Sequence, residues 1–186
     1  MNSKLAALGI LAGLVGAFLV GRVTAPDQDR PDPADVAFSQ DMSTHHEQAV
    51  LMAGLADNRA GPAVKVLADA ILGSQSQELG GMRGWLRLWG KPAESAHAEM
   101  GHSMPGMASP EELTNLWAKS GNEFDVLFLR LMIRHHQGGI AMARDAHPTL
   151  EVVRQAAAQM ANAQTEEVGQ MLALLRTYGA APLPPP

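Results

Sequence analysis

Laid over itself with a shift of 90 residues, this 186-residue chain places Phe38 on Phe128, Met42 on Met132, His45 on His135, His46 on His136, Val50 on Ile140, Met52 on Met142 and Ala53 on Ala143. A shift of 89 then matches Gln75 with Gln164, Glu78 with Glu167, Met82 with Met171, Leu86 with Leu175, Arg87 with Arg176, Trp89 with Tyr178 and Gly90 with Gly179. Rare residue types coincide, and the one-residue change of offset is a single insertion or deletion. The chain therefore holds two copies of one unit, at residues 33–90 and 122–179, and a fold must suit both.

Each copy reads as two helices. Ala60-Gly61-Pro62 divides the first copy and Ala146-His147-Pro148 the second, each Pro being suited to a first helical turn. No sustained period-two alternation of β-branched residues marks a strand. Two αα-hairpins, each with an apolar face it cannot bury alone, predict an all-α four-helix bundle over residues 33–180. Residues 91–109 form a Pro/Gly/Ser/Ala-rich linker. Ser109-Pro110-Glu111-Glu112 then supplies an N-cap, a first-turn Pro and a capping-box Glu for a short helix leading into the second repeat, within residues 110–180. Residues 181–186 are a Pro-rich tail.

The N-terminus has a different character. Lys4 precedes an uncharged run, Leu5 to Gly21, followed by Arg22 and a polar, Pro-rich tether over residues 26–32. That layout predicts a signal anchor or signal peptide at residues 1–25, with an apolar helix ahead of the bundle and the domain outside the cytoplasmic membrane. Arg22 before and Pro26 after Val23-Thr24-Ala25 make it a poor cleavage site, so an uncleaved membrane anchor is the first expectation and a secreted form the second. With Lys4 and Arg22 set aside, twelve basic residues face nineteen acidic ones, a formal net charge of −7. Nucleic acid is thereby excluded as a partner, and a cation suits better. Protein partners leave no mark in the sequence.

At about 100° per residue, Met42, His45, His46, Ala49, Met52 and Ala53 fall within an arc of about 120°, and the matching residues of the second copy do the same. The His pairs share the apolar face and should point inward. On the second helix of each copy, Gln75 and Glu78 lie on the stripe of Ile71 and Met82, as Gln164 and Glu167 lie on that of Met160 and Met171. Buried imidazoles and carboxylates cost several kcal/mol unless paired, hydrogen-bonded or metal-bound. A single inward His is more often a hydrogen-bonded core residue than a ligand. Two symmetric M-x-x-H-H motifs, each with polar residues on the adjacent helix, favour a metal site, with Gln75, Glu78, Gln164 and Glu167 supporting the ligands.

Composition sharpens the choice of metal. Eleven Met and seven His accompany no Cys, so any soft-metal site must be built from thioether and imidazole. The linker adds His97, Met100, His102, Met104 and Met107, a segment that reads either as an ordinary exposed connection or as a second set of soft ligands. Copper is the expected ion, Cu(I) ahead of Cu(II), and iron or zinc follow. No nucleophile elbow, phosphate loop, dinucleotide fingerprint or H-E-x-x-H is present, so no catalytic residue is assigned and an enzyme is not expected.

The segments F-S-Q-D-M-S-T-H-H-E-Q-A, E-L-G-G-M-R-G-W-L-R-L-W-G, M-P-G-M-A-S-P-E-E-L and F-L-R-L-M-I-R-H-H-Q-G-G-I-A-M-A resemble the bacterial family catalogued as domain of unknown function 305, over residues 33–180. The resemblance implies a ferritin-like bundle in exported or membrane-anchored proteins, some of which bind copper and contribute to copper resistance. It implies Met42, His45, His46, Met132, His135 and His136 as ligands, with the linker Met and His residues as auxiliaries. Three functions follow in order: copper sequestration or delivery; a ferritin-like di-metal oxidase or peroxide-handling enzyme; and an interaction module whose His/Glu cluster is structural. The second is disfavoured because neither Glu78 nor Glu167 has a His three residues on.

Overall fold

The computed structural model describes residues 30–95 and 104–186. Among these residues, five α-helices run in the order α1 (Pro33–Gly54), α2 (Pro62–Leu88), α3 (Pro110–Trp117), α4 (Gly121–Asp145) and α5 (Glu151–Thr177), with a 3-10 turn at Leu55–Asn58 after α1. No strand occurs among the described residues. None of their helices is long and apolar enough to cross a membrane; the apolar run at residues 5–21 lies outside them.

Local chemistry explains the boundaries. Asp32 caps α1 by accepting from the amides of Ala34 and Asp35, the Asp35 carboxylate accepts in return from the Asp32 amide, and Pro33 opens the helix. Ser109 and Glu112 form the expected capping box on α3, with Pro110 at its start. Pro62 likewise starts α2. The second repeat departs from this pattern: α5 begins at Glu151, three residues beyond Pro148, with Leu150 extended at its N-cap and the Thr149 and Leu150 amides bound to Asp35. At the other ends of α2 and α5, Gly90 and Gly179 both adopt a φ of 64°, the left-handed turn that stops a helix.

The two hairpins, α1 with α2 and α4 with α5, meet chiefly through α1 and α4. These run antiparallel, since Asp35 at the start of α1 reaches Thr149 and Leu150 beyond the end of α4, and Asp125 at the start of α4 reaches Gly61 beyond the end of α1. The two contacts are one interaction in two copies. Asp35 accepts from the amides of Thr149 and Leu150 and from the Thr149 hydroxyl, at 2.9–3.0 Å. Asp125 accepts from the Gly61 amide at 3.0 and 3.2 Å and from the Tyr178 hydroxyl at 2.7 Å. Each repeat thus supplies a buried carboxylate to the start of the other repeat's second helix, where amides lack intrahelical partners.

The apolar interior divides into two clusters. One gathers Met52, Ile71, Phe124, Phe128, Leu129, Met132 and Met171 with their neighbours; the other gathers Phe38, Met42, Met82, Ala157 and Met160 under Trp85 and Trp89. Full burial of each such side chain contributes roughly 1.5–3 kcal/mol. The repeat-related Met42 and Met132 fall in different clusters and are both completely buried. Trp117 is exposed, with the Arg59 guanidinium 5.5 Å from its ring.

Candidate metal centre

The inward arc of α1 carries Asp35, Ser39, Ser43, His45 and His46 buried among Met42, Ala49 and Met52, and α4 repeats it with His135 and His136. All four imidazoles have no exposed surface. The rings of His45 and His135 lie against one another where α1 crosses α4, centroids 3.8 Å apart and tilted by 31°. His136 follows at 6.1 Å from His135.

Every one of these rings is held through Nε2. His46 Nε2 donates to Glu78 on α2 at 2.8 Å, and His136 Nε2 donates to Glu167 on α5 at the same distance. His45 Nε2 lies 3.1 Å from the Pro105 carbonyl and His135 Nε2 lies 3.0 Å from the His45 carbonyl. A carbonyl oxygen can only accept, so those two nitrogens carry the hydrogen. In the neutral ring Nδ1 is then a bare lone pair, and all four Nδ1 atoms are buried without a hydrogen-bond partner. The amides of Gln75 and Gln164, buried on α2 and α5, are also without partners at both oxygen and nitrogen. An interior with this many unanswered lone pairs is unusual for a folded protein.

Burial drives the His45 pKa down to about 3, reinforced by the charge His46 would carry and only partly opposed by the Pro105 carbonyl. Burial, with the neighbouring His45, His136 and His46, likewise holds His135 well below its ordinary value. Both rings are therefore neutral near pH 7, the form that ligates metal. Glu78 and Glu167, the carboxylates on the facing helices, are engaged by the other two rings. In the metal-free protein, stability is complete above pH 6.5, where unfolded His is neutral too. It falls as acid protonates the unfolded chain, by about 1.4 kcal/mol per pH unit per ring until the folded pKa is reached. Urea midpoints measured between pH 7 and pH 4 should fall accordingly; a midpoint that holds constant below pH 6 would show that the folded rings take up protons.

The end of the linker covers this layer as a strap, residues 104–109. Met104 is buried and Met107 half-buried, so the structure places these two beside the helices. His97, Met100 and His102 lie outside the described residues. Gln48 on α1 binds Ala108 through both its amide atoms, and Arg134 on α4 binds the Met107 carbonyl and both Glu112 oxygens. Gly138 and Gly139, costly inside a helix, make room for these contacts. A Cβ on Gly138 would stand 2.0 Å from the Pro105 oxygen, and one on Gly139 would stand 2.4 Å from the Gln164 oxygen and 3.2 Å from His45 Cε1. The glycines admit the strap and a side chain.

A family model described as "Domain of unknown function (DUF305)" matches residues 35–175. The chain belongs to the DUF305 family. Among solved structures, a DUF305 protein of Streptomyces coelicolor is 36% identical, with a TM-score of 0.75 over 84% of this chain and 98% of that one. A DUF305 fragment from Deinococcus radiodurans is 34% identical, with a TM-score of 0.70 over 80% and 99%. CopM in its Cu(I)-bound form is 26% identical, with a TM-score of 0.64 over 78% and 98%; CopM is also known in Cu(II)-bound and Ag-bound forms. Nothing matches among curated proteins.

The donor chemistry of this DUF305 chain fits a soft ion better than a hard one. No three His, Asp or Glu side chains among the described residues are grouped so as to hold an ion by themselves. Each glutamate gives one oxygen to an imidazole Nε2, and the donors buried beside them are imidazole nitrogen and thioether sulfur. Asp35 and Asp125 escaped the sequence reading, although the 90-residue shift aligns them; they organise the fold around the centre.

Proposed function

We propose that this protein is a ferritin-like four-helix bundle that binds copper outside the cytoplasmic membrane, to sequester it or hand it on. One observation carries this reading: all four buried imidazoles donate Nε2–H to a carbonyl or carboxylate and turn an unpartnered Nδ1 into the interior. Metal-ligating His shows that arrangement almost without exception, because the second nitrogen needs an acceptor to fix ring and tautomer. Met42 and Met132, one turn before the pairs and fully buried, supply the thioethers that favour Cu(I). The likeness to CopM supports the same metal, and the Streptomyces coelicolor relative is classed as secreted, in keeping with an export segment at residues 1–25. His97, Met100, His102, Met104 and Met107 serve as auxiliary ligands in the linker.

Binding rather than catalysis is the role the residues favour. A di-metal oxidase needs carboxylates that bridge ions, whereas Glu78 and Glu167 each face an imidazole. The purified chain, titrated anaerobically with Cu(I) against a chelator, should compete for the ion, and H46A/H136A should weaken it by at least about tenfold. Failure of the wild type to compete, or an unchanged affinity in the variant, would overturn the assignment.

A further inference from the structure

Resting on the copper reading, we infer that Gln75 and Gln164 allow the centre to accept Cu(II) as well as Cu(I), by holding a water oxygen against the oxidised ion. The two residues are repeat-related, 1% and 2% exposed, and neither amide finds a partner at oxygen or nitrogen. Leucine would pack there at less cost, so a purely structural interior gains nothing from them. Gly139 keeps open the space shared by Gln164 and His45: the Gln164 carboxamide carbon and His45 Cε1 are each 3.2 Å from where its side chain would begin. The Gln164 amide therefore stands beside a ring of the centre.

The needs of the two ions differ. Cu(I) is content with a few soft or imidazole donors, whereas Cu(II) requires a fuller, tetragonal set of nitrogen and oxygen. Glu78 and Glu167 each give one carboxylate oxygen to His46 or His136 and stay partly exposed, whereas the two amides are buried with no partner at all. A neutral Nδ1 only accepts, whereas the Gln75 and Gln164 amides both accept and donate and are able to orient a water between themselves and the ion.

The test uses the full chain carrying Q75L/Q164L, titrated with Cu(I) and Cu(II) in separate chelator competitions and followed by electron paramagnetic resonance with oxygen-17 water. Cu(II) affinity should fall by at least about tenfold and the oxygen-17 broadening should vanish, while Cu(I) affinity stays within about threefold. The metal-free variant should melt at or above the wild-type temperature. Equal losses for both ions, or an unchanged Cu(II) affinity and broadening, would overturn the inference while leaving the copper reading intact. A wild type that binds neither ion would overturn both. If the double variant melts early, Q75L and Q164L examined singly should each show part of the selective loss; their failure to do so also counts against it.

Discussion

Replacing Asp35 with Ala should destabilise the protein by roughly 3–5 kcal/mol, because three amides and one hydroxyl lose a buried acceptor together. D125A should cost somewhat less, as it strands the Gly61 amide and the Tyr178 hydroxyl. Burial alone would raise the Asp35 pKa, but the hydrogen bonds from Asp32, Leu150 and Thr149 outweigh it and lower the carboxyl below its ordinary 3.8. Its contribution is accordingly present above that value and lost as pH falls through it, separately from the His-dependent loss that begins near pH 6.5. Urea denaturation at pH 7 measures the effect. A midpoint within error of the wild type would mean that water replaces the carboxylate at no cost.

G138A should have the second large effect. The added methyl would meet the Pro105 oxygen at 2.0 Å and its carbonyl carbon at 2.4 Å, and both belong to backbone, so no side-chain rotation relieves the clash. Gly106 interlocks from the other side, with a φ of 79° and its absent Cβ 2.3 Å from the Arg134 oxygen. The variant should lift the strap and release the His45 contact to Pro105 together with the Gln48 and Arg134 contacts. A loss of about 2–4 kcal/mol is expected from strain and unmade hydrogen bonds. Hydrogen exchange and limited proteolysis should locate new exposure at residues 104–109, with α2 and α5 unaffected. Uniform loosening throughout the chain would show instead that α4 itself had distorted.

The parts legible in the sequence were those with a local period or a repeated rare residue. Helical spacing put His45, His46, His135 and His136 on the buried face, and the repeat paired Glu78 with Glu167, which are indeed the residues that meet His46 and His136. The Ser109 box and the break at Gly61 follow from chemistry within four residues. What escaped was long-range. Asp35 looks like an ordinary first-turn acid, which helices favour for their dipole, Asp125 lies just past the first turn of α4, and only the tertiary fold shows that each serves the other hairpin. The docking of Pro105 and Gly106 on Gly138 joins residues more than thirty positions apart, and no periodicity announces it. The unequal acceptors of His45 and His135 break the symmetry because just one linker joins the two repeats.

The crossed carboxylates also govern how the chain acquires its structure. A hairpin on its own leaves the amides at the entry to its second helix without an acceptor, and the acid that would bind them belongs to the other half. Neither half is a complete folding unit, so the described helices should melt in one cooperative step, and a lone repeat should complete itself only by pairing with a second copy. Read in that way, the present chain has the layout of a symmetric dimer of hairpins whose two subunits became one polypeptide, the linker strap being the addition that made the halves unequal.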